Sequence, residues 1–438
     1  MAGFGSITKI PELQRRLLFT AAMFAVYRIG CHVPVPGVNG AALTELLSSR
    51  QQTLFGLLNT FTGGAFERMS VFALGIMPYI TSSIIFSLLA VVVPYLEQLQ
   101  KEGELGRRKI TQYTRYGTVL LSAVQSLMLA FWLEQQVNPS LVSAPGWAFR
   151  LMTIITLTSG TAFIMWLGEQ ITERGIGNGI SLIIFAGIVA RLPNDIADTL
   201  VMLSQGELSF FVLLGIGLLM VAVVGGIVFV ERGQRRIPVQ YPSRTVGRRM
   251  FKGVKTHLPL RINTAGVIPP IFASSILAFP QTFLQFLPSE NPNMILQWIN
   301  NALNMFGWQY NALYAAGIIF FTYFYTAVQF NPVDVADNLR KHGGYIPGVR
   351  PGKNTADHID RVLTRITLGG ALYLCAVCVL PSILVSSAGV PFYFGGTSLL
   401  IVVGVALDTA QQMEAHMLAR HYDGFLGAKG PKMRGRRR

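Results

Sequence analysis

The stretch EQITERGIGNGISLIIFAGIV, residues 169–189, starts with charged residues, passes three closely spaced glycines and ends in an apolar run. Glycines at this density suit a loop that cradles a phosphate or a tight connection between two membrane helices. A dinucleotide site of the form G-x-G-x-x-G needs a third glycine at Ile180, and no strand–helix–strand pattern surrounds the stretch. We therefore interpret it as a helix connection.

A second glycine-rich stretch, GVRPGKNT at residues 348–355, also fails as a nucleotide site. A phosphate-binding loop has four residues between its glycines and Ser or Thr after the Lys, whereas here three residues separate the glycines and Asn354 follows Lys353. The sequence contains no H-E-x-x-H or G-x-S-x-G motif either. It predicts no catalytic residues, no metal site and no cofactor, and hence a protein that is not an enzyme.

The composition favours a membrane protein. Of the 438 residues 51% are hydrophobic and only 13% are charged, against about 25% charged in soluble proteins, and the mean hydropathy is +0.46. Cys31, Cys375 and Cys378 lie in or beside apolar segments, so we interpret them as small apolar residues rather than as a redox or metal site. The N-terminal apolar run is interpreted as an uncleaved first span.

Ten segments are long and apolar enough to span a bilayer, which needs about 20 residues. They are residues 17–37, 71–93, 114–136, 149–168, 178–196, 209–230, 263–287, 309–330, 366–386 and 392–412. With the N-terminus in the cytosol, 31 of the 36 Lys and Arg fall in cytosolic segments and 4 in the opposite loops. This asymmetry predicts that both termini are cytosolic.

Ten spans divide into two halves of five, residues 1–205 and 206–438. Because five is odd, the second half starts on the opposite side of the membrane, as in inverted-repeat bundles. Prolines within the spans, Pro78 and Pro269–Pro270, predict bent helices. The polar segment 59–70 is interpreted either as a re-entrant piece lining a cavity or as an ordinary external loop, and the sequence does not decide between them.

The spans hold almost no charge, only Arg28 and Asp408 near their ends, which argues against an ion-coupled carrier. Isoleucines recur at helical spacing instead, at Ile76 and Ile80 and at Ile180 and Ile184, with Ile271 after the double proline. Such pairs usually serve packing, but they also suit a hydrophobic constriction. An inverted-repeat secondary transporter for a small solute remains the alternative to a channel. An intramembrane enzyme would need a polar pair within the spans.

The segments 231–262 and 331–365 are predicted to be cytosolic and long. The first carries nine Lys or Arg, more than a simple connection between helices requires. Part of this charge would set topology and meet anionic lipids. The remainder suits a docking surface for an acidic or nucleic-acid-rich partner.

Several stretches together resemble the SecY family of bacterial protein-conducting channel subunits. They are FALGIMPYITSSIIF, MWLGEQITERGIGNGISLIIFAGIV, VFVERGQRRIPVQY, THLPLRINTAGVIPPIFASSI, DNLRKHGGYIPGVRPGKNT and VPFYFGGTSLLIVV. The resemblance covers nearly the whole chain. It implies an all-α polytopic protein of the bacterial inner membrane, with ten helices in two inverted halves around an hourglass pore. Unfolded polypeptides would cross through this pore, and apolar segments would leave sideways into lipid.

The resemblance also implies site residues and partners. It assigns the pore ring to six isoleucines: Ile76, Ile80, Ile180, Ile184, Ile271 and Ile401. The plug would lie at about residues 54–68, and the second, third, seventh and eighth spans would form the lateral gate. Docking of the ribosome and of the motor SecA maps to Arg248, Arg249 and Arg350. The remaining implied partners are SecE, SecG, signal sequences, unfolded client chains and anionic lipids.

Two residues depart from the pattern of the family. Ser87 stands in the second span where many relatives carry Gln, which implies a different polarity threshold for the lateral gate. Pro270 stands where Ala is common, which implies a stiffer bend.

Overall fold

The computed structural model describes residues 11–48, 59–135, 141–206, 209–242, 244–246, 249–251, 253, 255–285, 303, 307–388 and 396–426. Helices dominate these residues. The first seven in chain order are α1 (Pro11–Gly30), α2 (Gly40–Ser48), α3 (Met77–Val92), α4 (Pro94–Lys101), α5 (Glu104–Gln135), α6 (Trp147–Arg174) and α7 (Gly179–Gln205). The remaining six are α8 (Phe210–Glu231), α9 (Ile268–Gln285), α10 (Trp308–Gln329), α11 (Pro332–Lys341), α12 (Lys353–Ala388) and α13 (Gly396–Leu426).

Each of the ten predicted spans overlaps one of these helices. Six helical segments of the described chain are long and apolar enough to cross a membrane, and α3 joins α4 through a 98° bend that makes a seventh candidate. Helix α12 begins 13 residues before the predicted span at 366, and α13 continues beyond the predicted end at 412. These helices therefore extend past their apolar windows into polar sequence.

Four short strands lie between α8 and α9. β1 (Gln234–Gln240) pairs antiparallel with β4 (Lys255–Arg261), with Gln234 opposite Arg261. β2 (Arg244–Val246) pairs antiparallel with β3 (Arg249–Phe251). The larger basic segment, 231–262, thus forms a β-ribbon of two antiparallel strand pairs among the helices of the described residues.

The chain forms two compact units. The first comprises residues 1–51, 55–191 and 405–438, and the second comprises residues 52–54 and 192–404. In the first unit α5 packs against α3 and α6, and α1 also packs against α6. In the second unit α10 packs against α9 and α12, and α11 packs against α12. The division into halves 1–205 and 206–438, expected from the sequence, stays a prediction. Helix α13 contributes residues to both compact units.

The prolines do not bend the helices as predicted. Pro78 lies in the first turn of α3, after a series of turns from Thr62 to Ile76, and Pro269 and Pro270 lie in the first turn of α9. The ring of proline fixes φ near the helical value, which suits the start of a helix better than its interior. These spans therefore contain a short non-helical part followed by a helix, and the expected stiffening of a bend by Pro270 is wrong.

Candidate functional site

The polar segment 59–70 is buried rather than exposed. Thr62, Ala65, Met69 and Ser70 are each no more than 1% exposed, although the segment is mostly non-helical. Irregular backbone at membrane depth is tolerated only where protein or a water-filled cavity surrounds it. This burial favours the re-entrant interpretation over an ordinary external loop. Residues 54–58 of the expected plug lie outside the described residues.

Two side chains of α1 hold the carbonyl groups of this segment. The Tyr27 hydroxyl donates to the Thr62 carbonyl at 3.2 Å, and Arg28 Nη1 donates to the Gly63 carbonyl at 2.8 Å. The Tyr27 ring also stacks on Phe72, with ring centroids 6.0 Å apart. Arg28 therefore has a local role that its position near the end of the first predicted span did not reveal.

The segment also packs directly on the backbone of α7. A Cβ placed on Gly187 would lie 2.7 Å from the Phe61 carbonyl oxygen, and a Cβ on Gly63 would lie 2.9 Å from the Gly187 Cα. Real Cβ atoms essentially never approach so closely, so both positions need glycine. Gly63 also has φ +65°, a conformation that side chains disfavour. The two glycines fix where the segment crosses α7.

Within the segment, Asn59 and Glu67 close a loop. Asn59 Nδ2 donates to Glu67 Oε2 at 2.8 Å, and the Glu67 amide donates to Asn59 Oδ1 at 3.1 Å. The Val35 amide donates to the Met69 carbonyl at 2.9 Å, which ties the end of the segment to the turn after α1. The segment is thus a small folded unit inside the first compact unit.

The glycine-rich connection between α6 and α7 is filled by protein groups. The Ile176 amide donates to Thr20 Oγ1 at 3.3 Å, and the Gly177 amide donates to Gln412 Oε1 at 2.9 Å. The Gly179 amide donates to Thr172 Oγ1 at 2.9 Å. A phosphate-binding loop needs such amides free for its ligand. Their protein partners exclude that interpretation and join the turn to α1 and α13.

The six isoleucines of the expected ring share one placement in the fold, because each lies within six residues of a helix start. Ile76 is the N-cap residue of α3 and Ile80 lies one turn later; Ile180 and Ile184 are in the first turns of α7. Ile271 is in the first turn of α9 and Ile401 in the second turn of α13. All are buried except Ile180, which is partly exposed.

Ile76, Ile80, Ile180 and Ile184 belong to the first compact unit, and Ile271 and Ile401 belong to the second. In the first unit, a Cβ on Gly168 of α6 would lie 3.2 Å from Ile180 Cγ1, so α6 supports the start of α7. In the second unit, Val267 packs against Gly404 of α13, which brings the starts of α9 and α13 together.

The two long polar segments of the second unit fold on one another. Residue Gln240 of β1 and Tyr345 exchange backbone hydrogen bonds of 2.9 and 3.0 Å. A small apolar core joins them, formed by Ile237, Val239, Leu260, Ile346 and Ile359. The sequence predicts two separate loops, whereas the structure forms one module that we call the basic module, residues 234–261 and 331–365.

Of the three expected docking residues, Arg350 is the one whose side chain the structure describes. It is exposed, and its carbonyl accepts a hydrogen bond of 2.9 Å from Thr355 Oγ1. Arg249 begins β3, but only its backbone is described, and Arg248 lies outside the described residues. Ser87 lies in α3, partly exposed, and its hydroxyl donates to the Ser83 carbonyl at 2.7 Å.

Two ion pairs join α5 to α6, and neither was predicted from the sequence. Arg115 binds Glu169 with hydrogen bonds of 2.8 and 2.9 Å, and Arg150 binds Glu134 with hydrogen bonds of 2.8 and 2.7 Å. Such pairs could have been sought among opposite charges at the matching ends of neighbouring antiparallel spans. In the described part of the chain no group of His, Cys, Asp or Glu could hold a metal ion, and the three cysteines are free thiols.

Comparison with known proteins assigns the family. The SecY family model matches residues 70–410. The chain belongs to the SecY family. The protein translocase subunit SecY of Escherichia coli K12 is 51% identical over 428 residues, which cover 98% of this chain and 97% of that protein. The corresponding subunit of Aquifex aeolicus is 46% identical over 96% of this chain and 98% of that protein.

Solved structures agree on the fold. The structure of a protein-conducting channel aligns with a TM-score of 0.63 at 16% identity over 95% of each chain. Sec61 in a canine ribosome–channel complex aligns with a TM-score of 0.61 at 16% identity, again over 95% of each chain. The prediction of an all-α polytopic membrane protein is therefore confirmed, and ten membrane helices are consistent with this fold.

The family also establishes the general function. This SecY-family chain is a multi-pass membrane protein and the channel subunit of a protein translocase, through which polypeptides cross the membrane. The relatives are translocase subunits, and an inverted-repeat carrier for small solutes is not favoured. The predictions of single residues within the channel are not decided by these comparisons.

Proposed function

We propose that the six isoleucines form the constriction of the translocation channel and that the segment at about residues 54–68, whose described part is largely buried, is its plug. The observation that carries the proposal is the shared placement of these isoleucines at the starts of α3, α7, α9 and α13, five of them buried. Apolar side chains at helix starts can close a narrow opening to water and ions by dewetting it. They also contact a passing chain without offering any side chain a strong bond.

The same proposal includes a lateral opening of the channel toward lipid. A lateral gate formed by α3 and α5 of the first unit and α9 and α10 of the second would let each segment choose lipid or water by its transfer free energy. Ser87 would give the gate-lining face of α3 a different polarity from the one that Gln gives it in relatives. Replacing Ser87 by Gln is expected to shift which signal sequences are accepted, and an identical export profile would contradict this role.

We assign the partners by the same reasoning. The basic module would face the cytosol, with both termini, and dock the ribosome and SecA through Arg248, Arg249 and Arg350. Relatives solved in ribosome-bound complexes support the ribosome as a partner. SecE and SecG would be accessory subunits in the bacterial inner membrane, and anionic lipids would meet the remaining basic residues. The channel would do no chemistry, so the energy for transport would come from the motor or from translation.

The first test of the constriction measures how well the resting channel blocks ions. Replacing Ile80 and Ile184 together by Ser introduces hydroxyl groups that hold water in the narrowest part, so the resting ion conductance of reconstituted translocase in planar bilayers should rise at least tenfold. The control is the same change at Ile155 and Leu151, which are exposed on α6. Equal conductance in both variants would contradict the proposal.

A second measurement tests passage of the polypeptide itself. A cysteine placed at residue 80 should crosslink to a secretory chain stalled in transit, and a cysteine at residue 155 should not. Intact export without any crosslink at residue 80 would remove the polypeptide from this part of the channel.

A further inference from the structure

The hydroxyl of Tyr314 in α10 lies between the starts of two other helices of the second unit. It is 2.9 Å from Thr397 Oγ1 in the first turn of α13 and 3.5 Å from the Pro270 carbonyl oxygen in the first turn of α9. A phenol has one proton to donate, and it also accepts. Donation to Pro270 and acceptance from Thr397 satisfy both contacts, of which the one with Thr397 is the shorter.

These two partners stand next to the isoleucines of the proposed constriction. Pro270 precedes Ile271 in the chain, and Thr397 is four residues before Ile401, so that Thr397 and Ile401 lie on one face of α13. One oxygen atom thus contacts the residue beside Ile271 and the residue one turn from Ile401. Val267 also packs on Gly404, which is a second contact between the starts of α9 and α13.

The surroundings of Tyr314 make the interaction stiff. Its side chain is 5% exposed, and its ring stacks on Tyr310 with centroids 6.0 Å apart. The buried Cys378 thiol of α12 also interacts with the Tyr314 hydroxyl. Water cannot readily replace a hydrogen bond in such a place, so the phenol contributes, with the packing of Val267 on Gly404, to the spacing of the two helix starts.

We propose that Tyr314 is a positioning residue for the channel seal: its hydroxyl holds Ile271 and Ile401 at the spacing that closes the resting constriction. The inference rests on the proposed function of the isoleucines and extends it to a residue that does not itself line the opening. Tyr314 acts through Pro270 and Thr397, and it is expected to matter most when no polypeptide fills the channel.

The test compares resting ion conductance and melting temperature of the complete reconstituted translocase for Tyr314→Phe, Thr397→Val and the double variant. Each single variant keeps the shape of its side chain and removes one hydroxyl from the same interaction. We expect each to raise resting conductance about three- to tenfold, the range for losing one buried hydrogen bond between neutral groups. The double variant should exceed the effect of Tyr314→Phe by less than twofold, because Tyr314→Phe already removes the hydrogen bond that Thr397→Val breaks.

Tyr310→Phe is the matched control, since Tyr310 is equally buried one turn earlier in α10 and its hydroxyl takes no part in the contacts with Pro270 and Thr397. It should leave conductance within twofold of the original protein. A purely structural role of Tyr314 would lower the melting temperature and leave conductance unchanged. The inference is overturned by that result, by equal effects of Tyr314→Phe and Tyr310→Phe, or by multiplicative effects in the double variant.

A further variant separates this inference from the proposed function. Ile271→Ser with Ile401→Ser should raise resting conductance whether or not Tyr314 has a positioning role. If the serine variant leaks and Tyr314→Phe does not, the inference alone fails. If the serine variant does not leak, the constriction itself is wrong and the inference fails with it.

Discussion

Arg28 shows how a charged residue of a membrane channel can bind a backbone carbonyl group. Its guanidinium donates to the Gly63 carbonyl at 2.8 Å, while the neighbouring Tyr27 donates to Thr62. A carbonyl group is a weaker partner for Arg than a carboxylate. In the proposed plug, this contact would therefore suit an interaction that breaks when the channel opens better than a permanent connection.

Replacing Arg28 by Met should loosen segment 59–70, the described part of the proposed plug with the residues that follow it. The change keeps a long apolar side chain and removes a charge-assisted hydrogen bond, which contributes about 1.5–3 kcal/mol. We expect resting ion conductance of the reconstituted translocase to rise by about tenfold or more. Arg15→Met, the same change at an exposed position of α1, is the control. If both variants conduct alike, Arg28 has no part in closing the channel.

Among the elements, the crossing of segment 59–70 over α7 depends on the absence of two side chains. Gly63 and Gly187 bring backbone against backbone, and a methyl group at residue 187 would meet the Phe61 carbonyl at 2.7 Å. The hydrogen bonds from α1 hold the same short stretch from another direction. The segment is thus positioned by backbone contact on one side and by two long side chains on the other.

Replacing Gly187 by Ala should displace the segment, because forcing a methyl group into a packed contact costs about 1–3 kcal/mol. We expect a lower melting temperature and faster cleavage within segment 59–70 by added protease. Gly215→Ala is the matched control, since Gly215 is also within a helix and a Cβ added there would have no neighbouring atom within 4 Å outside its own helix turn. There the higher helix propensity of Ala should leave stability equal or raise it by up to about 1 kcal/mol. A Gly187 variant as stable as this control would show that the crossing is not tight.

At the scale of the whole molecule, the basic module combines many basic residues with a folded apolar core. The β-ribbon and the segment from Pro332 to Arg365 share one apolar core, so the basic residues they carry are held on a common scaffold. A scaffold of this kind presents charges in a fixed arrangement, which favours recognition of a specific partner over loose attraction to any acidic surface. Arg350 occupies an exposed turn of this scaffold.

Charge reversal at Arg350 should separate docking from general attraction. Arg350→Glu is expected to reduce SecA-driven export into proteoliposomes at least fivefold, while Lys341→Glu should reduce it less than twofold. Both residues are exposed in the basic module, and both changes alter the net charge equally. Equal losses in the two variants would assign the effect to overall charge, and unchanged export with Arg350→Glu would remove its docking role.

Much of this molecule could be predicted from the sequence because a bilayer imposes simple demands. Long apolar segments and the distribution of Lys and Arg predict the spans, and each span overlaps a helix. The local backbone was harder to predict. Pro78 and Pro270 were predicted to bend helices, but both lie in the first turn of a helix. The contacts of Arg28 and Tyr314 depend on residues 35 and up to 83 positions away, so no local pattern announces them. The six isoleucine positions came from family resemblance, since isoleucine at helical spacing is ordinary in any apolar core.

The prolines at these helix starts have a consequence for hydration of the constriction. The first N–H groups of any helix lack a partner within that helix, and at mid-membrane they would draw water toward themselves. Pro78, Pro269 and Pro270 carry no N–H group, and they occupy first-turn positions of α3 and α9, beside Ile76 and Ile271. Three potential water-binding sites are therefore absent from the helix starts of the proposed constriction. The dryness of that constriction would thus depend on missing amide protons as well as on apolar side chains.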